Sequence, residues 1–556
     1  MTRLTIPLLL AAVLGLAAPL VAQDARDLSA QVDVLFTDLD VPDAPGAAVV
    51  VVRYGEVLYR GGYGSANLEY GLPVTPTTVF DIASVSKQFA GMAIAMLVEE
   101  GAISLDEDIR TYIPEVPDFG ETITVRHLVH HMSGIRDWPG TLAVAGWRMD
   151  DVITFDQILR MVWNQRALNF DPGSQYSYSN TGYNLLTELV ARVSGMSFRE
   201  WTEQNIFVPL EMWDTHFQDD HTELVPNRAV AYGRSDSAFT NLANSLTALG
   251  SSSLFTTVDD MAKWLMNFDD PVVGGDSVIR LMRTQGVLNS GQRISYAFGL
   301  NIGDYRGVPT ASHGGSWEGF RTFLLHFPVQ RFGVVVLSND SRVAAGRRAH
   351  QVADIYLSGE LEVQRAVATN WALLPEVEVP TEVLEEYTGT YKLGPGWLVA
   401  LTRQGDDSLM AQATAEERFP TRAVSQTEFY VPAYGASIHV RRDTTGVVSH
   451  VEYRGIRGER VELHIPSPEE LPAYQGRYYS EELDSSYEIR AQDGDLIAGH
   501  RRHGDIVLLP LLKDEFRGEA WFLREVKFLR DESGAVSEML ISNGRSRNLR
   551  FPKVTR

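Results

Sequence analysis

Between residues 384 and 537 the chain states one pattern twice, and that repetition constrains its fold more than any other feature. Leu384-x-x-Tyr387-x-Gly389-x-Tyr391 recurs as Leu471-x-x-Tyr474-x-Gly476-x-Tyr478. Leu409-x-Ala411 recurs as Leu496-x-Ala498, and Glu428-Phe429 as Glu515-Phe516. Arg442-Asp443-x-x-Gly446-x-Val448-Ser449 recurs as Arg530-Asp531-x-x-Gly534-x-Val536-Ser537. The matches stay collinear at a nearly constant offset, so the segment holds two copies of one module. Short alternating apolar stretches between Gly and Asp turns make each copy a set of antiparallel strands, with no helix expected in either. A small open sheet leaves edges that invite aggregation, and closing it into a barrel removes them. Two small antiparallel β-barrel domains are therefore expected, at 382–467 and 468–556, rather than one longer sandwich of similar hairpins.

Ahead of the repeat, residues 366–381 break up around Pro375 and Pro380 and read as a linker. Residues 23–365 read as a single α+β domain. Ala47 to Val52 and Val57 to Tyr59 are apolar runs around a Tyr54-Gly55 turn, a hairpin signal. Gly333 to Ser338 is a further buried strand, and Ser86 to Glu100 is a helix stopped by Gly101. Strands at both ends with helices between predict one antiparallel sheet covered by helices. At the N-terminus, Arg3 precedes an apolar run from Leu4 to Val21, closed by Ala22. This predicts a secretory signal over 1–22 and an exported, periplasmic or extracellular protein; Pro7, Gly15 and Pro19 argue against a membrane anchor. The chain of 556 residues has no cysteine, which excludes disulfides and thiolate catalysis. Its formal net charge of −23 repels phosphate backbones, so nucleic acid is not an expected partner.

The chemistry begins at Ser84-Val85-Ser86-Lys87, which opens the predicted helix. Residues three apart share a helix face, so the Ser84 hydroxyl and the Lys87 amine can meet, whereas Ser86 lies on another face. Serine is a weak nucleophile until a neighbour takes its proton, and a neutral, desolvated lysine can do so. Phe89, Met92, Ala93, Met96 and Leu97 form an apolar stripe that makes the helix a buried platform. Lys263, Lys392, Lys513, Lys527 and Lys553 lack a serine three residues before them. Alone the motif is common. A second element, Tyr178-Ser179-Asn180, offers a phenol for proton relay and an amide for hydrogen bonding. A third, His313-Gly314-Gly315-Ser316, has adjacent glycines that allow close backbone approach and suit an edge strand pairing with an extended substrate. Either of these, taken singly, is better explained by a Tyr-rich loop or a Gly-rich turn.

In this order the three elements resemble the penicillin-recognising serine hydrolases: class C β-lactamases, D-Ala-D-Ala carboxypeptidases, D-aminopeptidases and related esterases. Gly101-x-Ile103-x-Leu105-Asp106-Glu107, Ile123-Thr124-Val125-Arg126-His127-Leu128, Ser133-Gly134-Ile135 and Pro172-Gly173 match the same family's wording. The resemblance implies that Ser84 is acylated and that Lys87 and Tyr178 share the acid–base work, with the base undecided between them. It implies that Asn180, His313, Gly314 and Gly315 bind substrate, with Asn180 also bonding Lys87. The backbone N–H groups of Ser84 and Ser316 would form the oxyanion hole. His313 stands where many relatives carry lysine. Gly250-Ser251-Ser252-Ser253-Leu254 departs from the Gly-rich stretch that relatives commonly have. The tandem barrels resemble the D-aminopeptidase layout, and fold analogy alone does not assign them a task.

The cluster His127-x-x-His130-His131 has zinc-like spacing, but no carboxylate accompanies it, so neither metal nor other cofactor is expected. The favoured expectation is a hydrolase of D-amino-acid peptides, amides or small esters, with peptidoglycan fragments among the candidate substrates. β-Lactamase or D-Ala-D-Ala carboxypeptidase activity is the alternative. A non-catalytic peptidoglycan or β-lactam binder, or an envelope scaffold, leaves the Ser84, Lys87, Tyr178 and Asn180 set unexplained.

Overall fold

The computed structural model describes residues 28–362 and 377–554, apart from 236–237, 244 and 406–407. The 1–22 signal and most of the 366–381 linker lie outside the described residues. The chain divides into two compact units. The first comprises residues up to Gly134, Asp150–Arg160 and Phe170–Val363; the second comprises Ile135–Met149, Met161–Asn169 and Gln364 onward. Two short segments from within the 23–365 stretch thus fold with the barrels.

The first unit is built on a six-stranded antiparallel sheet. Its spatial order is Asn301–Tyr305, Val308–Trp317, Phe320–Phe327, Phe332–Ser338, Ala47–Arg53, Glu56–Tyr63. Ala47–Arg53 reads AAVVVVR and is buried almost throughout, as a central strand covered on both faces must be. It pairs from Ala47 with Ser338 to Arg53 with Phe332. The hairpin to Glu56–Tyr63 turns on Tyr54 (φ 51°) and Gly55 (φ 79°), the double left-handed turn whose twist matches that of paired strands. One face is packed by a helix over residues 28–36, through Val32 and Phe36, and by Ala345–Tyr356, through Ala349 and Val352. The helix Lys87–Glu99 is buried on nearly every side, including Phe89, Ala90, Met92, Ala93 and Ile94. Each large apolar side chain so buried contributes about 1.5–3 kcal/mol. That burial makes the helix a rigid base for whatever its first turn carries.

The second unit holds two antiparallel barrels. In the first, nine short strands run in the order Phe419–Pro420, Ser408–Ala413, Trp397–Gln404, Gly389–Gly394, Ile456–Val461, Val448–Tyr453, Ala436–Arg442, Glu428–Val431, Arg422–Ala423. The two end strands flank Thr421, so the sheet nearly closes on itself. The second is an eight-stranded meander from Gly476–Ser480 to Leu549–Pro552. Its ends meet through a Tyr478–Lys553 bridge and a Val554 N–H bond of 2.8 Å to the Arg477 carbonyl. Helix is present in both spans, contrary to expectation: Thr381–Tyr387 is a short α-helix and Leu471–Tyr474 the corresponding 3-10 turn. Each carries the first tyrosine of the repeated motif inward, so the aromatic that reads as a strand residue belongs to a helical lead-in. Among the described residues, no helix is long and apolar enough to cross a membrane.

Candidate active site

Ser84 lies in a tight 3-10 turn, Ala83–Ser86, which runs directly into the Lys87–Glu99 helix. Ala83 is left-handed at φ 48°. A non-glycine residue there costs about 1 kcal/mol or more and persists only where its surroundings over-determine it. Here the Ala83 N–H donates to Asp81 Oδ1 at 2.7 Å, and its carbonyl accepts from Ser86 Oγ at 2.5 Å. Ser86 is thus a buried fastener of the turn, and Ser84 is left half-buried at its crest.

Lys87 is fully buried, and its Nζ lies 3.0 Å from Ser84 Oγ, 2.9 Å from Asn180 Oδ1 and 2.7 Å from the Ser251 carbonyl oxygen. The amide and backbone oxygens can only accept, so two N–H bonds of Lys87 point at them. The third direction faces Ser84 Oγ. It carries an N–H in the ammonium and a lone pair in the neutral amine, the second being the form that can take a proton from serine. The helix Asn180–Ser194 sets both acceptors. Its N-cap Ser179 receives the Gly182 N–H at 3.3 Å, which fixes Asn180 at the first turn. Asn184, one turn on, donates to the Leu249 carbonyl at 2.9 Å and to Ser251 Oγ at 3.1 Å, which aims the Ser251 carbonyl at Lys87. The rings of Tyr178 and Tyr183 lie 4.9 Å and 5.8 Å from Nζ.

The third element is held against the nucleophile turn. Thr322 Oγ1 donates to the Ile82 carbonyl at 2.8 Å. Thr322 is the cross-strand partner of Gly315. A Cβ on Gly315 would strike the Ile82 carbonyl and the Thr322 hydroxyl, so the approach that needs glycine is to the Ser84 turn itself. Gly314 is packed on the Phe323 ring. Val308–Trp317 is flanked on both sides, but its pairing with Asn301–Tyr305 stops at Ser312. From His313 to Trp317 it is locally an edge, with Ser316 on that stretch.

His313 is buried. Its Nδ1 lies 2.7 Å from the Gly314 carbonyl and its Nε2 2.9 Å from Tyr296 Oη. A carbonyl only accepts, so Nδ1 carries the proton and Nε2 accepts from the phenol. Burial, with the nearby Lys87 charge, pushes His313 down from 6.5 to about 3. At neutral pH this position is an uncharged imidazole. Burial pushes the Tyr296 and Tyr183 phenols up, so neither ionises near neutrality.

The sequence-derived residues Ser84, Lys87, Asn180 and His313 come together in this first unit, with Tyr178 beside Lys87 and Gly315 under the Ser84 turn. Tyr296, Asp81 and the Ser251 carbonyl were not foreseen, and His131 stood out only as part of the histidine cluster. The Gly250–Leu254 stretch stood out only as a departure, and a backbone carbonyl leaves no mark in sequence. The histidine cluster is dispersed. His127 Nδ1 accepts the Thr124 N–H at 3.2 Å as part of a helix cap. His130 is spanned between the Arg126 and Thr284 carbonyls, 3.0 Å from each. Among the described residues, no group of three or more His, Cys, Asp or Glu is placed to hold a metal ion.

The model of the family described as Beta-lactamase matches residues 33–357. A D-aminopeptidase of Gluconobacter oxydans is 31% identical over 301 residues, covering 54% of this chain and 57% of the relative. The chain thus spans little more than half the length of that relative. Penicillin-binding protein 4* of Bacillus subtilis is 25% identical over 439 residues, 75% of this chain and 95% of that protein. Among solved structures, the octameric penicillin-binding protein homologue from Pyrococcus abyssi superposes with a TM-score of 0.55 at 22% identity, covering 87% of this chain and 100% of its own. D-amino acid amidase from Ochrobactrum anthropi gives 0.52 at 20% identity, covering 60% and 99%.

Proposed function

Since this chain belongs to the Beta-lactamase family, we propose that it is a serine hydrolase that works through an acyl-enzyme on Ser84. The observation that carries the reading is the Lys87 amine, 3.0 Å from Ser84 Oγ and tethered by two acceptors that cannot take part in proton transfer. Neutral Lys87 takes the Ser84 proton as Oγ attacks the substrate carbonyl carbon, and a new C–O bond forms. Tyr178, whose ring lies against Lys87, is the other candidate for the same proton and for protonating the leaving group. The Ser84 and Ser316 N–H groups receive the developing oxyanion. Asn180 and the His313–Gly315 strand bind the acyl portion. The tetrahedral intermediate collapses, the bond from the carbonyl carbon to the leaving nitrogen or oxygen breaks, and the amine or alcohol departs with the proton taken from Ser84; water then attacks the ester and releases acid and free serine.

The substrates we assign are D-amino-acid peptides or amides and small esters, in preference to β-lactams. A neutral His313 gives no charge-assisted bond to a substrate carboxylate, a loss on the order of 1–2 kcal/mol or roughly tenfold in preference. Likeness to a D-aminopeptidase in sequence supports the same choice. The apolar run from Leu4 to Val21 supports export, which would place peptidoglycan-derived D-peptides within reach. A fluorophosphonate probe is expected to label Ser84 alone, and Ser84→Ala to abolish turnover. With a D-alanine anilide, a short-chain nitrophenyl ester and a chromogenic cephalosporin, the cephalosporin is expected to have the lowest kcat/KM. If it has the highest, the substrate reading gives way to a β-lactamase. Labelling elsewhere overturns the mechanism.

A further inference from the structure

His131 follows the Val125–Val129 helix and takes part in neither a metal site nor the proton transfer above. It is 1% exposed and left-handed, with φ 58°. Its backbone carbonyl accepts the Ser177 N–H at 2.9 Å, and its ring Nδ1 accepts the Ser179 N–H at 3.2 Å. One residue thus holds the chain on both sides of Tyr178. Its ring lies 4.2 Å from the Tyr178 ring and 4.3 Å from that of Tyr296, centroid to centroid. The neighbouring Met132 carbonyl accepts the Gly173 N–H at 2.8 Å, extending the same grip along the loop. Because Nδ1 accepts from a backbone N–H, the neutral ring carries its proton on Nε2.

We propose that His131 is the positioning residue for Tyr178, fixing the phenol against Lys87 through its carbonyl, its Nδ1 and its ring face. The proposal rests on the reading of Tyr178 as a proton-transfer group. The left-handed backbone is what lets one residue present carbonyl and ring to the same loop. His131 also packs on the Tyr183 ring, 5.1 Å centroid to centroid, so the test must separate the route through Tyr178 from its contacts with Tyr183 and Tyr296.

The two contributions separate by substitution. His131→Asn keeps an acceptor oxygen where Nδ1 sits and tolerates a left-handed backbone, but removes the ring. His131→Phe keeps a ring and removes the acceptor. His131→Gly removes both and frees the backbone. The readouts are kcat and KM on a nitrophenyl ester and the second-order rate of fluorophosphonate labelling at Ser84, which stays measurable in slow variants. We expect His131→Gly to lower kcat and labelling about 30-fold with KM within about threefold, since positioned acid–base groups supply 10²–10⁴-fold. Asn and Phe should each recover part of the loss.

The deciding measurement is the cycle with Tyr178→Phe. In that background His131→Gly or His131→Asn should change labelling less than about threefold, because the group being positioned is gone. Equal losses in both backgrounds would overturn the proposal and leave His131 a general packing residue. So would wild-type rates in His131→Gly. If Tyr178→Phe itself keeps wild-type rates, the proton-transfer reading of Tyr178 fails first and the proposal with it. If His131→Gly does not fold, His131→Asn carries the same cycle.

Discussion

The two barrels share a sequence motif and a construction, yet among the described residues the apolar cluster of the second takes in a segment from elsewhere in the chain and that of the first does not. In the first, Tyr391 Oη donates to the Tyr387 carbonyl at 2.9 Å; in the second, Tyr478 Oη donates to the Tyr474 carbonyl at 2.7 Å. Gly389 and Gly476 are matched in backbone, at φ 147° and 139°. Arg442 and Arg530 bond the Gly446 and Gly534 carbonyls across equivalent turns, at 2.7 and 2.9 Å. The divergence is on the next strand. Tyr391 pairs with Val399, whereas Tyr478 pairs with Tyr487. Val399 ends inside its own barrel core. Tyr487 Oη reaches the Val144 carbonyl at 2.9 Å, and Ala143 and Val144 sit in the second barrel's apolar cluster. His503 Nε2 adds a 2.8 Å bond to the Ala143 carbonyl. A barrel scaffold becomes a receptor for a helix when an inward aliphatic is exchanged for an aromatic with a polar tip.

Truncation after residue 467 should show the largest effect. It uncovers Ala143 and Val144 and leaves Arg136 without the Glu482 carboxylate. We expect loss of soluble protein, read as the fraction recovered after expression. A soluble, active product would mean the Ile135–Met149 segment does not need its barrel. Next is Arg136→Met. Arg136 and Glu482 are 1% and 6% exposed, and Arg136 also donates to the Arg547 carbonyl at 3.1 Å. Removing one partner of a buried pair costs about 3–5 kcal/mol. Arg442→Met in the first barrel breaks a pair with Glu386, 29% and 52% exposed, worth about 0–1 kcal/mol. Equal losses of amide-exchange protection in the barrel strands around each pair would remove the distinction.

What was legible in sequence follows from which signals are local. Repeat, turn chemistry and β-branched runs are local, so both barrels, the Tyr54-Gly55 hairpin and the Ala47–Arg53 and Phe332–Ser338 strands could be read directly. Ser84 and Lys87 were legible because one helical turn joins them. The assembly around them was not. Tyr296 reaches His313 from a loop with no motif, and the second acceptor for Lys87 is a carbonyl aimed by Asn184. Helical segments inside barrel spans were missed because Tyr387 and Tyr474 sit at positions where strand and helix patterns overlap over so few residues. The departure of Ile135–Met149 into the second unit was equally silent: Trp138–Val144 is a short run of apolar and small residues that marks no boundary.

His500 sharpens the comparison through pH. It lies in the second barrel, 4.9 Å from the Tyr487 ring, while Val399 of the first barrel pairs with Ala413. Its Nδ1 accepts the Arg502 N–H at 3.2 Å and its Nε2 lies 3.1 Å from Ser485 Oγ. Burial first, then the neighbouring His503, Arg501 and Arg502, push it down from 6.5 to about 4. The folded value is below the unfolded one, so the unfolded state binds the proton first. Stability is complete above about pH 6.5 and falls as pH drops toward 4, by about 2–3 kcal/mol at pH 4. Hydrogen exchange should show strands Ser485–Gln492 and Asp495–His500 losing protection in that window, and His500→Gln should flatten the loss. An unchanged slope in the variant assigns the acid sensitivity elsewhere.

The smallest effect tests the shared part of the design. Tyr391→Phe and Tyr478→Phe each keep a buried ring and delete one hydroxyl bond to the carbonyl four residues earlier. Each should cost about 1 kcal/mol, the net worth of a buried neutral hydrogen bond. Global melts are a poor readout in a chain of several folding units, because a loss in one barrel need not move the transition of another. Local opening is the better one: amide exchange in Gly389–Gly394 for the first variant and Gly476–Ser480 for the second. Matching losses of protection would mean the motif does the same job in both copies, and that their difference lies in the Val399 and Tyr487 positions. A loss in the second barrel larger by more than about 1 kcal/mol would mean that receiving the helix has also raised the demand on the motif. The repeat would then record common ancestry but no longer a common load.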